Sequence, residues 1–137
     1  MEVKREIKFR AKIAEDIEAL EMKSGYWFDG HYVREGNQHF IVVDDEYQMY
    51  LKIFPETLGQ FTGLYGKDNR EIYEGDIVQA YHLTRNIPSR VGEIKFIEGS
   101  FCFCYDNIQI PLIGLYCNKL EVIGNIHDNP ELHIYRG

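Results

Sequence analysis

The sequence predicts a mainly β fold, a β-rich α+β chain of antiparallel hairpins forming a small SH3-like barrel or a sandwich, with one or two short helices. Three observations carry that reading. The first segment alternates apolar and charged residues with period two, as a strand with one buried face does. Short apolar runs then recur about every ten residues, separated by Gly and Asp, which is the texture of small all-β domains. Aromatic residues reach 14%, with ten Tyr, eight Phe and one Trp, and these side chains suit pleated, half-buried surfaces.

The elements follow in order. Ile7, Phe9, Ala11 and Ile13 fall on odd positions, with Lys4, Lys8, Arg10 and Lys12 on even ones, which predicts a strand with a solvated basic face. Ile13, Ile17 and Leu20, interleaved with Glu15, Asp16, Glu18 and Glu21, have helical spacing and predict a short helix over 13–21, stopped at Ser24-Gly25. Residues 26–28 and 31–33 flank Asp29-Gly30, a dipeptide that supplies the positive φ angles of a tight hairpin turn. Residues 39–43 and 47–53 flank the acidic tip Asp44-Asp45-Glu46, and Pro55 ends that hairpin. Residues 76–81 read as a strand, 91–97 and 101–105 as a hairpin through Glu98-Gly99-Ser100, and 120–123 as a last strand. Asn129-Pro130 fits a cap followed by the first position of a helical turn.

The whole of 1–137 reads as one domain, with residues 1–55 as an N-terminal β/α extension packed on a β-barrel core over 56–137. A chain of 137 residues can bury a real core without metals or disulfides. No apolar run is long enough for a membrane span, and the charged opening MEVKREIKFR is unlike a secretion signal. Three cysteines, Cys102, Cys104 and Cys117, are odd in number and clustered late, so the expected setting is a reduced cytoplasm.

Charge narrows the function classes. Fifteen Lys and Arg stand against 22 Asp and Glu, for 15 − 22 = −7. Residues 1–12 hold five cations against Glu2 and Glu6, or +3, so the remaining chain sums to −10. An acidic body disfavours phosphate-backbone binding as the main task. The nucleic-acid reading therefore rests on Lys4, Lys8, Arg10 and Lys12 beside an aromatic hairpin. Tyr26, Trp27, Phe28 and Tyr32 crowd that hairpin, and alternation cannot turn all of them inward. They are the candidate interface, because Tyr and Trp combine an apolar body with a polar handle.

Catalytic and metal motifs are not found in the sequence. Cys102 and Cys104 would place both sulfurs on one strand face, and with Cys117 and His127 could complete a tetrahedral set, but no Cys-x-x-Cys knuckle is present. The five histidines, His31, His39, His82, His127 and His133, form no paired ligand motif. The Walker pattern and the hydrolase Gly-x-Ser-x-Gly elbow are missing as well. The expectation is no enzyme, no cofactor, no metal and no membrane, but a homo-oligomer that can also engage a host protein.

The segment 59–64, Gly-Gln-Phe-Thr-Gly-Leu, continues to Glu71-Ile72-Tyr73-Glu74-Gly75-Asp76-Ile77-Val78. With the closing Val122-Ile123-Gly124-Asn125-Ile126-His127-Asp128-Asn129-Pro130-Glu131-Leu132 and the opening 5–11, it resembles the YopX family of small proteins of temperate phages and prophages of Gram-positive bacteria. Members typically carry "QFTGL", then "EIYEGDIV", and close on "VIGNIYENPEL". The turn at 65–70 lacks the family's Asn-Gly, and the acidic 13–21 replaces its Trp-Asp turn. The resemblance implies a prophage origin and a β-rich fold, and it implies no catalytic residue. Gly63 and Gly75 are expected to serve backbone geometry.

Overall fold

The computed structural model describes residues 5–43 and 48–134, apart from the side chains at 133 and 134. Lys4, Asp44, Asp45, Glu46 and Tyr47 lie outside the described residues, as does the His133 side chain. The chain divides into two compact units, Met1–Phe61 and Thr62–Gly137.

The first unit is an antiparallel sheet of β1 (Phe9–Lys12), β2 (Trp27–Glu35), β3 (Gln38–Val43), β4 (Met49–Lys52) and the start of β5 (Gly59–Tyr65). The strand order is β4-β3-β2-β1-β5. The alternation read from the sequence places Ala11 and Ile13 at zero exposure, in a core with Ile41 and Ile53. Phe9, Phe28, Tyr32 and Leu58 pack against that core. The regular strand is only four residues long, and Ile7 stays exposed.

Two expectations fail here. Residues 13–21 do not form an α-helix. Ile13 forms a β-bridge with Ile53, its N–H donates to the Tyr26 carbonyl at 2.9 Å, and Ile17 bridges Met22 around a 3₁₀ turn at Glu18–Leu20. A helix of about two turns barely repays its nucleation cost in water, whereas the bridge removes Ile13 from solvent entirely. Asp29-Gly30 does not turn the chain either, and β2 runs straight through it. The glycine is there for space: a Cβ at Gly30 would sit 2.3 Å from the Val42 carbonyl oxygen of β3. The real turn is the two-residue loop 36–37, closed by the Glu35–Gln38 pair, with Gly36 at φ +61°. The hairpin of β3 and β4 forms as read, Phe40 opposite Lys52 and Val43 opposite Met49.

In the second unit the end of β5 meets β6 (Glu71–Tyr73), where the Thr62 hydroxyl donates to the Ile72 carbonyl at 2.8 Å. The main sheet comprises β7 (Asp76–Tyr81), β8 (Pro88–Ile97), β9 (Ser100–Tyr105), β10 (Ile108–Pro111) and β11 (Leu120–Asn125). All neighbours are antiparallel, in the order β10-β9-β8-β7-β11. Its core is Ile72, Val78, Ile94, Phe103, Leu112, Leu120 and Val122. The β8–β9 turn has Glu98 at φ +50° and Gly99 at +82°, both positive as a type I′ turn demands. A short helix α1 (Pro130–Ile134) follows Asn129.

The chain is thus mainly β, built from antiparallel hairpins, as expected, and of the two forms expected, barrel or sandwich, neither sheet closes into the barrel. Both ends of the second sheet are blunted. Pro111 in β10 has no N–H to offer a further strand. On β11, Arg70 donates to the Val122 carbonyl, and a Cβ at Gly66 would lie 2.5 Å from the Leu120 carbonyl.

Gly30→Ala should destabilise the protein by about 1–3 kcal/mol through overpacking, while Gly114→Ala, where a Cβ meets nothing within 4 Å, should cost far less. Urea denaturation of the two variants compares them directly.

Candidate functional site

The β1–β2 register sets Lys12 opposite Trp27 and Arg10 opposite Asp29, so the even-numbered cations share a face with Trp27. The Arg10 guanidinium carbon lies 4.9 Å from the Trp27 ring centroid and the Lys12 ammonium 5.5 Å. Lys8 sits 5.3 Å from the Phe61 ring and pairs with Glu6 at 3.0 Å and Asp29 at 3.5 Å. The expected solvated basic face is therefore half-buried: its stems cover aromatic rings and its charges are drawn into cation–π and ionic contacts. Lys8 has a side chain only 19% exposed.

The aromatic quartet divides. Trp27 lies with the cations, Phe28 and Tyr32 pack against the core, and Tyr26 is exposed. Tyr32 and His39 are joined by a 2.6 Å hydrogen bond between Oη and Nδ1, with their rings nearly parallel. The four do not form one stacking platform.

The two phrases that carry the family resemblance meet in the second unit. Asp76 is almost fully buried, and its carboxylate accepts the Tyr73 N–H at 2.7 Å. Gly75, at φ +92°, donates to the Ile94 carbonyl and accepts from the Ile126 N–H. Asn125 pairs with Asp76 across β7–β11, and its side-chain oxygen accepts the His127 and Asp128 N–H groups. The Asn129 side chain accepts from the Asn125 N–H and crowds Gly124, whose hypothetical Cβ would lie 2.5 Å away. These residues fix a corner of the fold. Gly63 also takes positive φ, at +84°, so both glycines serve backbone geometry as expected.

The cysteines pack apart. Cys102 and Cys104 are buried on one face of β9, opposite Lys95 and Glu93, while Cys117 lies in the 3₁₀ turn Cys117–Lys119. Burial pushes the Cys117 thiol above its ordinary value, which lowers its thiolate fraction at neutral pH. Among the described residues no three His, Cys, Asp or Glu side chains gather to share a metal ion.

The far end of the second sheet is the feature that sequence reasoning missed. The C-terminal ends of β7 and β9 and the N-terminal ends of β8, β10 and β11 all lie there, as their antiparallel registers require. Leu83 is 59% exposed and Tyr116 67%, and together with Asn118 and Lys119 they line an open groove of about 280 Å³. Ile87 and Ile108 also face solvent, as does Ile113, which follows the opposite end of β10. At the end of β7, two residues before Leu83, Tyr81 donates to Glu121 at 2.8 Å, and Lys67 stands 4.6 Å over the Tyr81 ring. The signal was in the sequence all the same: 77–92 and 107–120 contain no Asp or Glu while holding Arg85, Arg90 and Lys119.

The hydrogen bond to the Glu121 carboxylate, aided by burial and by the negative charge, raises the Tyr81 phenol above its ordinary value. A phenol raised in the fold stabilises it at pH values below the unfolded pKa, and that contribution is lost as pH climbs through the folded pKa. Alkaline titration of tyrosine absorbance should show a late-ionising phenol that is absent in Tyr81→Phe and shifted downward in Glu121→Gln.

The crystal structure of protein EF1440 from Enterococcus faecalis is similar to this chain, with a TM-score of 0.51 and 27% identity. That likeness covers 94% of this chain and 99% of the other. No curated protein matches. The family model described as YopX protein matches residues 8–133, which includes both phrases that build the β7–β11 corner, and the chain therefore belongs to the YopX family.

Proposed function

We propose that this chain is a non-enzymatic, prophage-encoded binding and assembly protein that self-associates in the host cytoplasm. The observation that carries the reading is the exposure of Leu83 and Tyr116 together along one open groove at the end of the second unit's sheet. Scattered surface apolar groups need no explanation, but a gathered set with an aromatic among them is the usual composition of an interface centre. The groove is open, unlike the cavities that bury most of a small ligand's surface, which favours the docking of protein side chains. A host protein is a further partner class, since the acidic body would steer basic surfaces toward it.

The alternative is nucleic-acid binding through Lys8, Arg10 and Lys12 beside Trp27. The shared face of those cations favours it, while the ion pairs of Lys8 and the net charge of −7 weigh against it. Lys8→Glu with Arg10→Glu would then reduce retention of single-stranded DNA or RNA and flatten its salt dependence. No binding at low salt removes that alternative.

Light scattering over a concentration series tests the main reading. The wild type should show a mass above 16.1 kDa that rises with concentration, and Leu83→Glu with Tyr116→Glu should hold it at the monomer. A monomeric wild type at all concentrations overturns the reading.

A further inference from the structure

We propose that the groove lined by Leu83, Tyr116, Asn118 and Lys119 takes the acidic 14–22 loop of a second copy of this chain. This rests on the self-association reading above and names the surface that meets the groove.

The loop has the chemistry of a complementary knob. Residues 14–22 carry Glu15, Asp16, Glu18 and Glu21 and no cation, for −4. All four carboxylates are exposed, and Leu20 stands among them at 48% exposure. The loop is also pre-shaped: Ile17 bridges Met22, Leu20 and Met22 both donate to the Ile17 carbonyl, and the Asp16 carboxylate accepts the Ser24 N–H at 2.8 Å. Little conformational freedom remains to be lost on docking, which favours association.

The groove presents the inverse arrangement. Leu83 and Tyr116 line it with Lys119, and Arg85 stands exposed two residues from Leu83 in the β7–β8 loop. The stretches 77–92 and 107–120 hold Arg85, Arg90 and Lys119 without an acidic residue, for +3, so the rest of the chain sums to −7 − 3 = −10. Asp106 lies between the two stretches, and the nearby Glu121 accepts the Tyr81 hydroxyl. In an acidic protein, a basic apolar groove and an acidic loop with an apolar tip are matched in both charge and hydrophobicity. Each copy carries both surfaces, so the pairing can be reciprocal across a two-fold axis or repeat head-to-tail.

Charge reversal separates this pairing from other modes of self-association. The loop variant combines Glu15→Lys, Glu18→Lys and Glu21→Lys, leaving the hydrogen-bonded Asp16 in place. The groove variant combines Arg85→Glu with Lys119→Glu. Unchanged circular dichroism and thermal unfolding show that each variant folds. At low salt each alone should associate about tenfold more weakly than the wild type, and an equimolar mixture should recover the larger species in light scattering. If only the groove variant weakens association, or if the mixture does not recover it, the loop is not the occupant and this inference falls while the self-association reading stands. A wild type that is monomeric at every concentration removes both.

Discussion

The register of β7 is the constraint on which the second unit depends. At its N-terminal end the buried Asp76 carboxylate holds the Tyr73 N–H, and Gly75 is tied to both Ile94 and Ile126. At its C-terminal end Tyr81 is bonded to Glu121 of β11. Ile77 and Val78 are both fully buried, on opposite faces of the strand, so the apolar pattern alone does not set the alignment and these contacts at its two ends do. That alignment sends the β7–β8 loop and the start of β11 to the same end of the sheet, where Leu83 and the segment 116–119 form a groove. The family's two phrases thus fix one end of the strand, and the candidate interface is a consequence at the other.

Cations are used in two different ways, the first of which also takes in Lys67 over Tyr81 and Arg90 over Tyr105 in the second unit. In the first, Lys8, Arg10 and Lys12 lie along aromatic rings, where the apolar stems bury and the charges meet ring faces or carboxylates. Such groups hold strands together and have little charge left to offer a ligand. In the second, Arg85 is exposed in a loop, and Lys119 borders an apolar groove. Exposed charge around exposed hydrophobic surface steers a partner and then rewards its arrival.

Much of the fold was legible because strand alternation and turn chemistry are local. The even–odd split of 8–13, the strand over 76–81, the β8–β9 turn at Glu98-Gly99 and the Asn129-Pro130 helix start all rest on neighbours within a few residues. The failures have physical causes. Ile13 and Ile17 are four apart, a spacing that fits one face of a helix and one face of a strand equally, and only the distant Ile53 decides between them. Asp-Gly signals a turn, but Gly30 answers to the Val42 carbonyl of β3, which the local sequence does not contain. With Asp29-Gly30 read as a turn, the face that Trp27 shares with Arg10 and Lys12 was invisible. The groove depends on Leu83 and Tyr116, which only the sheet topology brings together. The acid-free stretches that surround it were visible, yet nothing local joined one to the other.

The proposed assembly makes a claim about place as well as mass. Hydrogen–deuterium exchange of the intact protein, compared between dilute and concentrated solution, reads that place directly. The account predicts concentration-dependent protection in residues 14–22, 82–87 and 116–119, with exchange in β1 and β2 unchanged. Protection that appears instead around Lys8, Arg10 and Trp27, or no dependence on concentration at all, would contradict it.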